Sequence, residues 1–154
     1  MDKMIWKLCP IEPYLEEIKE LFNNTKGHKH QDNYIKRPLF EYTKFARMGW
    51  DKKLVYYSAG IERPEYKGGI RIMSRHVRDR NYDFGSYKDD LQRGLSTLNT
   101  SVQYAKNLGY TDIWISREES SKFLEYLSEH SFYDWNIIYE QLHYGGYQYV
   151  MRIK

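Results

Sequence analysis

Cysteine is nearly absent from this chain: Cys9 is the only one in 154 residues, so no disulfide can form within it. A chain without disulfides is typical of a reducing compartment, and we expect a cytoplasmic protein stabilised by burial of apolar surface. Cys9 also has no neighbouring base in the sequence, so we interpret it as a buried, inert side chain. Long apolar runs are missing too, so we expect no membrane span and no secretory signal.

A strong charge of one sign is likewise missing. The 24 basic and 21 acidic residues leave a net charge of +3, which attracts phosphates only weakly. The chain has only four prolines, and it shows no internal repeat and no linker, so residues 1–154 are expected to form one domain. Tyrosine is abundant instead, with 16 residues, and this favours β-sheets because the ring packs on a sheet while the hydroxyl stays hydrated.

The apolar pattern predicts the element order β-α-α-β-β-α-β-α-β-β. Strands are expected at residues 4–8, 53–61, 69–78, 111–116, 136–143 and 147–153. The first helix should follow Pro13, and a second should begin at Pro38 and stop near Gly49, with Leu39, Tyr42, Phe45 and Ala46 facing inward. A helix capped by Ser120 or Ser121 should bury Phe123, Leu124 and Leu127. The order indicates a mixed α/β (α+β) sheet packed with helices.

Residues 92–110 predict a turn, a long helix and a helix stop. One side of the helix is apolar, at Leu91, Leu95, Leu98, Val102 and Ala105. Gly94 precedes the predicted helix, and Gly109 follows it where a left-handed residue usually ends one. The stretch therefore predicts a helix N-terminus, packed on a sheet, that is suited to binding phosphate.

Several motifs resemble those of the GNAT (Gcn5-related N-acetyltransferase) superfamily. Its members carry Gln/Arg-x-x-Gly-x-Gly/Ala, a helix with Ala-Lys-x-Leu-Gly-Tyr near its end, and a final strand pair often ending in Tyr-x-Met-x-Lys. Here the matches are Ala105-Lys106-Asn107-Leu108-Gly109-Tyr110, Gly94 as the last loop glycine, Tyr144-Gly145-Gly146 and Tyr149-Val150-Met151-Arg152. The resemblance implies a mixed, mostly antiparallel sheet with helices on both faces.

The chain departs from the family pattern at four positions. In the loop, Asp89 replaces the family's Gln/Arg and Gln92 replaces its first glycine. Leu127 occupies the position of the family's proton-donating tyrosine, with Tyr126 one residue earlier, and Ser131 replaces the glycine before Phe132. One residue turns a side chain by about 100° around a helix, so Tyr126 takes that role only if the helix is shifted.

The implied activity is transfer of an acetyl or other acyl group from acetyl-CoA to an unidentified amine. The resemblance assigns coenzyme binding to Gln92, Arg93, Gly94, Leu95 and Ser96, and proton donation to Tyr126. Nominees for the base are His76, Glu62 and Glu41, with His76 favoured because histidine titrates near neutrality. The sheet should splay to admit the coenzyme's pantetheine arm, with backbone N–H groups polarising the thioester carbonyl.

Other patterns carry alternatives. His28, His30 and Asp32 have the spacing of metal ligands, but no further ligand set accompanies them, so a solvated loop is favoured and no metal is expected. Arg71, Arg75, Arg78 and Arg80, with Tyr82 nearby, form a basic face, for which a solvated surface is favoured over nucleic acid.

The rival to an enzyme is a catalytically inactive GNAT-like module that binds a protein or a nucleic acid. An exposed hairpin edge at residues 147–153 suggests a strand-paired homodimer as the alternative to a monomer. The tyrosine- and lysine-rich composition is compatible with a bacteriophage origin.

Overall fold

The structure, a computed structural model, describes residues 3–25, 41–62, 68–73, 76–117, 122–141 and 147–153. Eight strands lie within these ranges: β1 (Ile5–Cys9), β2 (Thr43–Asp51), β3 (Lys53–Ile61), β4 (Gly69–Ile72), β5 (Val77–Arg78), β6 (Asp112–Arg117), β7 (Trp135–Gln141) and β8 (Tyr147–Ile153). They form one sheet in the order β1-β2-β3-β4-β6-β8-β7, with β5 also paired to β3. Among the pairings of these described strands, only that of β4 with β6 is parallel.

Three α-helices accompany the sheet: α1 (Leu15–Asn23), α2 (Tyr87–Asn107) and α3 (Lys122–His130). A 3-10 turn at Glu12–Tyr14 leads into α1, with a proline in its first turn, where the missing N–H costs nothing. Gly109 follows α2 with a φ of +98°, as the sequence predicted for the residue after a helix end. None of these three helices combines the length and apolar character needed to cross a bilayer.

The helices lie on both faces of the sheet. On one face α1 buries Ile18, Leu21 and Phe22 against β2, β3 and β5. On the other face α2 and α3 enclose a second core, which contains Phe45, Ile70, Ile72, Leu98, Val102, Ala105, Ile113, Ile115, Phe123, Leu124, Leu127 and Met151. The predicted mixed, mostly antiparallel sheet with helices on both faces is therefore confirmed.

The predicted second helix is wrong where the structure describes it, because Thr43–Asp51 is strand β2. Ala46 and Met48 join the core under α1, whereas Phe45 joins the core under α2. A strand buried on both faces has apolar residues without strict alternation, and over nine residues this pattern is easily mistaken for a helical face. The earlier part of the predicted helix, including Leu39, lies outside the described residues.

The predicted edge at residues 147–153 is also wrong. Strand β8 pairs with β6 on one side and with β7 on the other, so it is an interior strand. The outermost strands of the sheet are β1 and β7. A hairpin signal locates two strands but does not say which of them receives a further neighbour.

Candidate functional site

The sheet opens between β4 and β6. Their parallel ladder pairs Gly69 with Asp112, Ile70 with Ile113 and Arg71 with Trp114. Beyond that point β6 runs on to Arg117 but pairs only with β8, and β5 pairs only with β3. Within the described residues, two strands that begin as neighbours therefore leave a gap between them.

A register change accompanies this opening. The N–H of Met73 donates to the carbonyl of Ala59, and Val77 pairs with Tyr57. Over this interval β3 advances by two residues while the opposite strand advances by four. Residues 74 and 75 lie outside the described residues, and the residues on either side of them pair with β3 in different registers.

Backbone direction in and after β5 follows from the hydrogen bonds to β3. The N–H of Asp79 donates to the carbonyl of Val55 at 2.8 Å, so the peptide N–H of Asp79 faces β3. Neighbouring residues of a strand direct their peptide groups to opposite sides. The peptide N–H of Arg78 therefore points away from β3, toward the gap.

His76, the residue before β5, belongs to a cluster that we call the tyrosine relay: Tyr56, His76 and Thr97. The Tyr56 hydroxyl is hydrogen-bonded to His76 Nδ1 and donates to Thr97 Oγ1 at 2.9 Å. Tyr56 and Thr97 are fully buried. Burial raises the pKa of Tyr56 well above its ordinary value, opposed by the Thr97 hydrogen bond and by the charges of three arginines, so Tyr56 stays a neutral phenol.

The predicted start of α2 is wrong, because the helix begins at Tyr87 rather than after Gly94. Ser86 is its N-cap and forms a capping box with Asp89, whose N–H donates to Ser86 Oγ at 3.1 Å. Gly85 precedes it with a φ of +89°, and a Cβ there would lie 2.6 Å from Asp89 Oδ2. The pattern Ser86-x-x-Asp89 is the signal in the sequence that marks the start of α2.

Gln92, Arg93, Gly94, Leu95 and Ser96 therefore lie in the second and third turns of α2, not in a loop. Gly94 is buried, and a Cβ on it would lie 3.1 Å from the Phe123 ring and 3.5 Å from His76 Cε1. This glycine brings α2 close to α3 and to the tyrosine relay.

The N-terminus of α2 carries its own carboxylates. Asp89 accepts the N–H of Ser86 at 3.0 Å, and this backbone bond, with the Ser86 hydroxyl, lowers the pKa of Asp89. Asp90 forms ion pairs with Arg78 and Arg93. These negative charges occupy the position that a helix dipole would otherwise offer to a phosphate.

The other predicted site residues lie on or beside elements other than β5, which His76 directly precedes. Tyr126, on α3, is half-buried, with its ring centroid 4.4 Å from that of His130, and it lies one turn beyond Phe123. Glu62, at the end of β3, accepts the Tyr110 hydroxyl at 2.5 Å and the N–H of Gly68 at 3.3 Å. It is six residues from Tyr56, about 20 Å along a strand. Glu41 is exposed just before β2.

The remaining sequence candidates divide as follows. His28, His30, Asp32 and Arg75 lie outside the described residues. Within the described ranges no group of three or more His, Cys, Asp or Glu side chains is placed to hold a metal. Met73 and Val77, which are spaced two residues from Arg71 and Arg75 in the sequence, are buried in the core under α1.

Sequence reasoning missed Tyr56, Thr97 and Arg47. Arg47 lies on the same sheet face as the tyrosine relay, with its guanidinium carbon 4.5 Å from the Trp6 ring centroid, and Trp6 packs edge-on against Tyr56. Strand β3 reads as an apolar run containing two adjacent tyrosines, and nothing in that run says which of them faces α2. The only available signal was Arg47 itself, an arginine inside an otherwise apolar stretch.

No protein-family model and no curated protein matches the chain. Solved structures do resemble it over nearly its whole length. An acyl-CoA N-acyltransferase from Pseudomonas aeruginosa is 13% identical with a TM-score of 0.63, over 97% of this chain and 98% of that one. The ribosomal-protein-S18-alanine N-acetyltransferase from Escherichia coli is 11% identical with a TM-score of 0.60, over 96% and 92%.

A third structure, assigned as an acetyltransferase from Salmonella typhimurium and solved with acetyl-CoA, is 9% identical with a TM-score of 0.51, over 99% and 92%. The fold of this chain is therefore that of the GNAT N-acetyltransferases. At these identities the likeness concerns the fold alone.

Proposed function

We propose that this protein is an N-acyltransferase that moves an acyl group from acetyl-CoA or another acyl-CoA to an amine. The observation that carries the proposal is the gap between β5 and β6, bordered by backbone groups without a neighbouring strand. An extended chain containing amides fits between two such edges, because it pairs with N–H groups such as that of Arg78 as an added strand would, whereas the carbonyl of Arg78 already accepts the Thr25 hydroxyl at 3.4 Å.

Acetyl-CoA supplies an activated thioester. The amine nitrogen forms a bond to the acyl carbon while the bond from that carbon to sulfur breaks. The N–H of Arg78 donates to the acyl oxygen, where negative charge develops. His76 accepts the proton lost by the amine, and Tyr126 donates a proton to the departing thiolate.

Tyr56 is a positioning residue in this scheme. Its hydroxyl holds His76 Nδ1, which fixes the orientation of the imidazole ring. Thr97 in turn orients the Tyr56 hydroxyl. Glu62 has a different role in the proposal, since its carboxylate joins Tyr110 to the segment after β3.

A second candidate is a GNAT-like binding module without catalysis, and one observation favours it. The first turn of α2 is capped by Asp89, with Asp90 beside it, so the helix dipole is already compensated. If the protein binds the coenzyme, that binding would then depend mainly on the gap between β5 and β6 rather than on a phosphate site.

Calorimetric titration with CoA and acetyl-CoA separates the two candidates. We expect CoA and acetyl-CoA each to bind saturably and to compete with each other. We also expect acetyl-CoA to release its thiol when an amine is added. Absence of binding at millimolar ligand concentration would refute the enzyme and leave the binding module.

The variants Arg78→Pro and Arg78→Ala test the proposed backbone donor. Arg78 and Tyr56 are opposite each other in a pair that no backbone hydrogen bond joins. Proline at position 78 therefore removes the N–H that faces the gap without removing a hydrogen bond to β3. We expect Arg78→Pro to lower kcat by about 100-fold or more, as for loss of an oxyanion donor.

Arg78→Ala is the matched control. It removes the same side chain and its ion pair with Asp90 but keeps the N–H, and an ion pair this exposed contributes about 0–1 kcal/mol. Equal losses in the two variants, with both folded by circular dichroism, would remove the backbone donor from the scheme.

A further inference from the structure

Arg47 is a cation whose charge is poorly compensated. Its Nη1 donates to Thr100 Oγ1 at 3.4 Å, and burial lowers its pKa. Its Nε is buried and has no hydrogen-bond partner among the residues that the structure describes. In the described part of the chain it forms no ion pair, whereas Arg78, Arg93 and Arg152 each contact an aspartate. A partly buried guanidinium with five donors and one long hydrogen bond is suited to an anionic ligand.

The guanidinium is also held in place. Trp6 lies beneath it, with 4.5 Å between the guanidinium carbon and the ring centroid, and Trp6 packs against Tyr56 at 5.1 Å between ring centroids. Arg47 and Trp6 are both half-buried, so the pair is not closed off from solvent. A planar guanidinium stacked on a ring presents a fixed fork, which matches the two oxygens of a carboxylate.

The tyrosine relay lies next to this fork. Trp6 contacts both Arg47 and Tyr56, and Tyr56 is bonded to His76. Thr100, which contacts Arg47, is three residues beyond Thr97 of the relay and six residues beyond Gly94, which lies next to the relay. At about 1.5 Å per residue, Arg47 is offset from His76 by roughly 5–9 Å along α2.

A phosphate of the coenzyme is a poorer occupant than the acceptor. Thr100 is thirteen residues from the start of α2 at Tyr87, about 20 Å along the helix. A group that contacts Arg47 is therefore far from the backbone N–H groups at the N-terminus of α2, which are the groups of this helix suited to a phosphate.

We propose that Arg47, supported by Trp6 and Thr100, binds a carboxylate of the acceptor, and that the acceptor is an amine carrying this carboxylate at the far end of an extended chain. This inference rests on the proposed function, because it takes His76 as the place where the amine reacts. An α-amino acid is too short, since its two groups share one carbon. An ω-amino acid or a lysine-like side chain has the required length.

The kinetic test compares 6-aminohexanoate with hexylamine, with acetyl-CoA as donor. The wild-type protein should prefer 6-aminohexanoate in kcat/KM by at least about tenfold, as expected for a charge-assisted bidentate contact. Glycine should be a poor acceptor. Arg47→Gln should abolish the preference, and Arg47→Lys should retain only part of it. The lysine variant also tests the site if the glutamine variant fails to fold.

Lys44→Gln is the matched control, because Lys44 lies on the same strand, is exposed and changes the charge by the same amount. It should keep the wild-type preference. An unchanged preference in folded Arg47→Gln would overturn the carboxylate site while leaving the acyltransferase proposal standing.

A second readout does not require turnover. The Arg47 Nε–H is shielded from solvent, so its proton exchanges slowly and its NMR signal should be observable. Titration with 6-aminohexanoate should shift this signal, whereas hexylamine should not. If no amine is acetylated but the shift occurs, the carboxylate site stands and the proposed function fails. A shift with CoA alone, or no shift with 6-aminohexanoate, would refute the carboxylate site.

Discussion

Replacing Tyr56 by phenylalanine tests the tyrosine relay without reference to any activity. The ring and its contacts with Trp6 and Phe84 are kept, and only the hydroxyl is lost. That hydroxyl contacts His76 and Thr97, and Thr97 is fully buried. Hydrogen bonds contribute about 0.5–1.5 kcal/mol each, and an abandoned buried hydroxyl costs about 1–3 kcal/mol. We therefore expect Tyr56→Phe to lower the free energy of unfolding by about 1–2 kcal/mol.

The double variant with Thr97→Val sharpens the test. Valine has nearly the shape of threonine but no hydroxyl, so it leaves nothing unpaired on α2. When both partners of a buried hydrogen bond become apolar, much of the cost of either single change should disappear. The double variant should be more stable than the sum of the single effects predicts, by at least about 0.5 kcal/mol.

Urea denaturation near pH 8, followed by circular dichroism, measures all four proteins of this cycle. The slopes of the transitions should agree, so that midpoints report stability. Two results would refute the reasoning: a cost for Tyr56→Phe below about 0.3 kcal/mol, or single effects that simply add.

Two further predictions concern alkaline pH and core packing. Burial raises the pKa of Tyr56 and Tyr110, with a contribution from Glu62 at Tyr110. The unfolded chain therefore loses these phenolic protons first, so stability should be retained below about pH 10 and fall above it; urea midpoints that stay constant to about pH 11 would contradict this. A Cβ on Gly60 would lie 2.5 Å from Cζ of the buried Phe45, so Gly60→Ala should cost about 1–3 kcal/mol, and an unchanged Tm would show that the ring can move aside.

The elements with one dominant signal could be predicted from sequence. Strand β3 has the predicted bounds, and α1 begins after Pro13 as predicted. Strand β2 could not be recognised, because burial on both faces removes the alternation that distinguishes a strand from a helix. The start of α2 was missed because Gly94 was interpreted as a loop residue, although the Ser86–Asp89 capping signal was present.

The candidate site was less predictable than the fold. His76 was a candidate from sequence, but its contact with Tyr56 depends on the register between β3 and β5, which is a pairing between distant parts of the chain. The same holds for the gap, since local propensity does not determine where two parallel strands stop pairing. Arg47 and Trp6 meet only because β1 pairs with β2.

The register change between Met73 and Val77 has a consequence for how variation affects this protein. The opening of the sheet depends on the number of residues between two fixed pairings to β3, not on the identity of any side chain. Substitutions in this interval leave that count unchanged, whereas deletion of two residues would bring both pairings into one register and favour a continuous ladder. The opening thus depends on the number of residues between the two pairings. It should tolerate substitutions in this interval far better than insertions or deletions.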